Sequence, residues 1–180
     1  MTSQCGETHP ATMILADAVG EPALLELQYA PRSVDARLVD ALADEARSEG
    51  DELEDIARGL KVEIRTEMLP HGVYGLRVKL PEPRPSDGLV GWVLVTMLKP
   101  ALRRLVVGHE LAHWIARNSG RSHTHADVWL IALALLMPGE LLRAMGDASA
   151  VEVAAAFGVP WWAADVRLKM LRSDNGLAAA

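Results

Sequence analysis

The sequence predicts an α+β fold with a small three-stranded sheet followed by a set of apolar helices. Apolar residues recur at helical spacing over residues 34–60, alternate with polar residues in two segments within 62–80, and dominate most of 89–137. Helical and extended segments that occupy separate parts of a chain are typical of the α+β class.

The first predicted elements are a helical region and the sheet. Ser33 can cap a helix whose apolar spacing continues, with a break, to about residue 60. Strand-like alternation then covers 62–65 and 76–80, with a turn at 70–72 between them. The Val-rich run 89–98 is typical of a third strand that is covered on both faces.

The remaining predicted elements are helices. One covers 100–118 and begins at Pro100, because the missing amide hydrogen of proline would be unpaired in the first turn anyway. The next covers 125–137 and ends before a proline. A C-terminal helical pair follows at 150–157 and 161–171.

Composition restricts the class of protein. A chain of 180 residues suits one domain, and a net charge of -6 argues against a broad surface for nucleic acid. Charged residues or prolines interrupt every apolar run before it reaches membrane-spanning length, and residues 1–10 lack the layout of a secretory signal. A single cysteine, Cys5, cannot form an internal disulfide. We therefore expect a cytoplasmic protein without a membrane or nucleic-acid partner.

The predicted elements divide the chain into three regions. Residues 33–172 form one domain. Residues 1–32 are punctuated by Gly20, Pro22 and Pro31 and are predicted to be a loosely ordered arm, and residues 173–180 to be a frayed tail.

The chemically informative segment is His109-Glu110-Leu111-Ala112-His113, inside the predicted helix 100–118. Histidines four residues apart lie on one face of a helix, so both imidazoles can reach one metal ion. Glu110 lies to the side, where its carboxylate can take a proton from a metal-bound water and pass it to a leaving amine. The apolar surroundings support this interpretation, because desolvating these groups without a partner is costly. The pattern predicts His109 and His113 as zinc ligands and Glu110 as the catalytic base.

Three further motifs follow in order. They are Leu135-Leu136-Met137-Pro138, Phe157-Gly158-Val159-Pro160 and Arg167-Leu168. Together with the HExxH segment, they make residues 33–172 resemble the ImmA/IrrE family of metallopeptidases. The resemblance implies a zincin-like fold, in which the sheet packs on the active-site helix and an extended substrate can pair with an edge strand. It also implies a zinc-dependent endopeptidase whose protein substrate is a transcriptional repressor of a phage, a mobile element or a stress response.

The resemblance leaves the third zinc ligand open. The family usually has a Glu a few residues before the Leu-Leu-Met-Pro motif, and here His125 stands at that position. His125 is therefore the expected third ligand, Asp127 the alternative and His123 a weaker candidate. A three-histidine site carries more positive charge than His-His-Glu, which should further acidify a bound water. The missing Glu also leaves open the alternative that the metal site is degenerate.

Two other functions are compatible with the sequence. One is a catalytically silent zinc-binding regulatory protein that acts on a repressor by contact alone. The other is a helix-turn-helix DNA-binding protein, because the second helix of the C-terminal pair carries Arg167, Lys169 and Arg172. The acidic net charge and two bulky residues at the start of that helix, Trp161 and Trp162, argue against DNA binding.

Overall fold

The computed structural model describes residues 15–19, 36–48, 50, 52–120 and 122–177. Over these residues the chain is α+β, as predicted, with four strands and seven helices. The strands are β1 (Leu15–Val19), β2 (Val62–Thr66), β3 (Gly75–Lys79) and β4 (Gly91–Val95). The helices are α1 (Ala36–Arg47), α2 (Leu53–Gly59), α3 (Pro100–Asn118), α4 (His125–Leu136), α5 (Gly139–Ala144), α6 (Ala150–Phe157) and α7 (Trp161–Leu177). Most of the predicted arm, including Cys5, and residues 178–180 of the predicted tail lie outside the described residues, whereas 173–177 continue α7.

The four strands form one mixed sheet in the order β1-β3-β4-β2. β2 runs parallel to β4, while β3 is antiparallel to both β4 and β1. The three predicted strands are confirmed, although the last is shorter than expected. β1 comes from the segment predicted as a loose arm, and it pairs Leu15 with Val78 and Ala16 with Arg77. The sheet therefore has one more strand than the sequence predicted.

The core lies between the sheet and two helices, α3 and α4. α3 has Pro100 in its first turn, as predicted, and is buried from Leu105 to Ala116. α4 is buried from Val128 to Leu136, which is typical of a helix enclosed by the rest of a domain. No helix in the described part of the chain is long and apolar enough to cross a membrane.

Two glycines let the core elements approach each other closely. A Cβ atom on Gly108 of α3 would lie 2.8 Å from Leu136 Cδ1 of α4. A Cβ atom on Gly75 of β3 would lie 2.5 Å from Val106 Cγ1 and 3.3 Å from Glu110 Cγ. Both distances to apolar side chains are shorter than a real Cβ tolerates, so β3 and α4 lie directly against α3 around the HExxH segment.

The C-terminal helical pair is confirmed as α6 and α7. Gly158 ends α6 in the left-handed conformation with a φ of 63°. From α7, the fully buried Arg167 donates through Nε to the Met137 carbonyl at 3.2 Å and through its terminal nitrogen to Asp40 Oδ1 at 2.5 Å. This side chain joins α7 to the end of α4 and to α1.

Candidate metal and catalytic site

Three histidines converge where α3 meets the start of α4. His109 and His113 lie one turn apart on α3, and His125 is the first residue of α4. One ring nitrogen from each lies within 4.8 Å of the others, and the Nε2 atoms of His109 and His125 are 3.0 Å apart. Tetrahedral zinc bound to imidazoles would separate two ligand nitrogens by about 3.3 Å. These three residues can hold one metal ion.

Burial leaves ring nitrogens of this cluster without ordinary partners. His109 is fully buried and His113 is 8% exposed. Among the described residues, the buried Nε2 of His113 has no hydrogen-bond partner. A buried polar nitrogen without a partner is destabilising, and a metal ion would supply the missing interaction. Imidazole nitrogens are also common zinc donors, so the donor set fits the expected ion.

The protonation states of the two α3 histidines suit metal binding. Burial lowers the pKa of His109 well below its usual value, and the neighbouring charges of His113, His125 and Arg77 lower it further. Burial also lowers the pKa of His113 to about 3, with further contributions from Arg77 and His125. Both imidazoles are therefore neutral at pH 7, which is the form that ligates metals.

Trp129 supports the cluster from α4. It is fully buried, and its ring centroid lies 3.9 Å from that of His109. Packing of this kind fixes the orientation of an imidazole. Trp129 was not predicted as a site residue, although it lies four residues from His125 on a predicted helix and so shares a face with it.

Glu110 is fully buried beside the cluster and is held by a residue of β3. Arg77 Nε lies 3.1 Å from Glu110 Oε2, and the Arg77 side chain is only 13% exposed. On its other side, Glu110 Oε1 lies 3.5 Å from His109 Nδ1. The predicted base thus adjoins the predicted ligands. Arg77 was not predicted as a site residue, because its position in the alternating pattern is typical of the polar face of a half-buried strand.

The two other candidates for the third ligand, Asp127 and His123, make hydrogen bonds outside the histidine cluster. Asp127 Oδ2 accepts a hydrogen bond from the Thr124 amide at 2.8 Å, and Thr124 Oγ1 accepts one from the Asp127 amide, which caps the start of α4. His123 Nε2 lies 2.8 Å from Ser119 Oγ. Neither residue belongs to the cluster of ring nitrogens. The geometry therefore brings His125, and not Asp127, to the two histidines of α3.

Comparison with known proteins adds little to this geometry. No protein-family model matches the sequence. No curated protein sequence matches it either. A Mycobacterium tuberculosis transcriptional regulator of known structure is similar to 74% of this chain, with 16% sequence identity and a TM-score of 0.47. The similar region spans 46% of the length of that regulator.

Proposed function

We propose that this chain is a zinc-dependent endopeptidase of the ImmA/IrrE type with a zincin-like fold. The observation that carries the proposal is the convergence of His109, His113 and His125 beside the buried carboxylate of Glu110. Three imidazoles hold the ion and leave a fourth position open, as catalytic zinc sites do. The fold is compatible with this assignment, because a mixed sheet lies on the helix that carries the HExxH segment.

In the proposed mechanism the three histidines bind the metal and Glu110 transfers the proton. A bound zinc ion would acidify the attacking water and polarise the scissile carbonyl. Glu110 accepts the proton of that water at its carboxylate and then donates it to the nitrogen of the leaving amine. Trp129 keeps His109 in its ligating orientation, and the apolar surroundings of α3 and α4 exclude bulk water from the ligands.

The substrate class follows the same resemblance. We propose a protein substrate, a transcriptional repressor of a phage, mobile element or stress response, cleaved in the cytoplasm. DNA binding by the C-terminal pair is less well supported, because Arg167 is fully buried and bound to Asp40 and Lys169 pairs with Asp165 at 2.7 Å. Two of the three cations that suggested a recognition helix are therefore already engaged.

Zinc content is the first test. Elemental analysis of purified protein should find one zinc per chain in the wild type and in Asp127→Ala, and none in His109→Ala or His125→Ala, because only the last two remove members of the cluster. Circular dichroism of each variant establishes that it is folded. A wild type without zinc, or loss of zinc from Asp127→Ala alone, would overturn the proposed site.

Glu110→Gln then separates a peptidase from a silent zinc-binding regulator. This variant should keep its zinc and lose proteolysis, since the amide cannot accept the proton. New protein N-termini are compared by mass spectrometry after the wild type or the variant acts on a lysate of the source organism. Termini that appear only with the wild type support hydrolysis. If both proteins hold zinc and produce the same termini, the chain is not the peptidase.

A further inference from the structure

Arg77 is a charged residue on the face of β3 that lies against α3. Gly75 and Arg77 are two residues apart, so they share one face of the strand, and a Cβ atom on Gly75 would lie 3.3 Å from Glu110 Cγ. Arg77 Nε lies 3.1 Å from Glu110 Oε2, and only 13% of the Arg77 side chain is exposed. A guanidinium ion thus adjoins the predicted catalytic base inside the domain.

This arrangement has an electrostatic consequence for metal binding. The Arg77 guanidinium also lies close to the imidazoles, because Arg77 Nε is 3.1 Å from Glu110 Oε2 and Glu110 Oε1 is 3.5 Å from His109 Nδ1. A positive charge this close to the cluster disfavours a divalent cation bound between the rings. The chain therefore carries a residue whose charge opposes metal binding.

A second consequence concerns the position of Glu110. Carboxylate oxygens are competent zinc ligands, and Glu110 follows directly after the ligand His109. Because Arg77 engages Oε2 while Oε1 lies 3.5 Å from His109 Nδ1, the carboxylate is oriented between the strand and the imidazole. A base of this kind has to lie beside the ion without entering its coordination sphere.

We propose that Arg77 is a positioning residue that holds the Glu110 carboxylate outside the metal's coordination sphere, at a cost in metal affinity. This inference rests on the proposed function and assigns a role to a residue outside the HExxH segment. An arginine that only neutralised a buried carboxylate would stabilise the fold, and its loss would leave the coordination number of the metal unchanged. A positioning residue has a different signature, because its loss should let Glu110 enter the coordination sphere while proteolysis falls.

Metal affinity and coordination provide the test without relying on activity. Metal-free wild type, Arg77→Met and Arg77→Gln are titrated with zinc against a chromophoric chelator, and their cobalt complexes are compared by visible absorption. Both variants should bind zinc more tightly, on the order of tenfold, because a like charge near the ion has been removed. Their cobalt spectra should shift toward a higher coordination number as Glu110 joins the ligands.

The same substitutions in a Glu110→Gln background separate the effect of the Arg77 charge on zinc affinity from the effect of Glu110 on the coordination number. There the increase in zinc affinity should persist, but the cobalt spectrum should not change, because no carboxylate remains to enter the coordination sphere. Arg77→Lys should return the affinity toward that of the wild type, since it keeps the charge. Lys79→Met is the matched control, because it removes a positive charge from the same face of β3 about 7 Å further along the strand.

The outcomes distinguish the inference from the proposed function. If the wild type binds zinc and Glu110→Gln retains it, but the cobalt spectra of the Arg77 variants match that of the wild type, the positioning role is wrong and the peptidase proposal stands. If the wild type binds no zinc, the proposed function fails first. Arg77→Gln keeps a polar side chain and serves as the deciding variant if Arg77→Met does not fold.

Discussion

At the scale of single residues, the site depends on burial acting on ordinary histidines. His109 and His113 are neutral because the core removes the water that would solvate their protonated forms, and the charge of Arg77 adds to that effect. His125 completes the cluster from the more exposed start of α4. Neutral imidazoles ready to ligate a metal therefore result from packing α3 between the sheet and α4.

The metal-free protein should lose stability in acid for the same reason. The pKa of His113 is about 3 when folded, against a usual value of 6.5. Between these values the unfolded chain binds more protons, so the free energy of unfolding falls as the pH drops below 6.5, with His109 acting in the same direction. Each histidine contributes a slope of at most about 1.4 kcal/mol per pH unit.

Denaturant unfolding of chelated protein between pH 7 and pH 5 measures this slope. The matched variant is His113→Gln, which cannot be protonated and should show a shallower dependence. An identical slope in wild type and variant would mean that His113 titrates normally in the folded protein.

At the scale of elements, the sequence predicted which segments are helices and strands better than it predicted which neighbour each strand face contacts. The alternation in β3 was correct, yet Leu76 and Val78, at 5% exposure each, are buried on one face while Arg77 faces α3 on the other. Alternation distinguishes two faces of a strand but cannot show that the polar face also lies against a helix. The resulting contact between Arg77 and Glu110 depends on tertiary packing and was therefore missed.

Other elements were missed for local reasons. α5 (Gly139–Ala144) is six residues long and follows Pro138 directly, so it offers no periodicity to detect. β1 pairs with the outer edge of β3 through backbone hydrogen bonds, which depend little on side-chain pattern. His109 and His113 were predictable because residues four apart on one helix share a face, whereas His125 was expected from the position of the third ligand in the family that the sequence resembles.

The contact between β3 and α3 should be sensitive to a single methyl group. Gly75→Ala would place a Cβ atom 2.5 Å from Val106 Cγ1, and the resulting shift should destabilise the fold by about 1–3 kcal/mol. Denaturant unfolding gives the free energy. Val106→Ala is the companion substitution, because it removes the atom that would clash.

The double variant tests the cause of that destabilisation. Gly75→Ala combined with Val106→Ala should be more stable than the sum of the two single effects predicts, by at least about 0.5 kcal/mol. Strict additivity would show that the cost at Gly75 arises elsewhere than at Val106.

At the scale of the whole molecule, Arg167 connects parts of the chain that are distant in sequence. It reaches Asp40 in α1 and the carbonyl of Met137, the C-cap residue that follows α4. The Leu-Leu-Met-Pro and Arg-Leu motifs, found separately in the sequence, therefore meet in one contact. Their role in the described structure is to hold the helices together, while the candidate site lies at the other end of α4, about 18 Å away.

Arg167→Met should accordingly lower stability without emptying the candidate metal site. The substitution leaves Asp40 and the Met137 carbonyl without their donor. We expect the free energy of unfolding to fall by about 3 kcal/mol, which is at the low end for a buried ion pair because Asp40 is 28% exposed. Lys169→Met on the same helix is the control, since its pair with Asp165 is exposed and should contribute less than about 0.5 kcal/mol. Zinc content measured on the folded variants should equal that of the wild type in both. If Arg167→Met kept full stability, the contact of Arg167 would not stabilise the packing of α1, α4 and α7. The Leu-Leu-Met-Pro and Arg-Leu motifs would then need a different physical explanation.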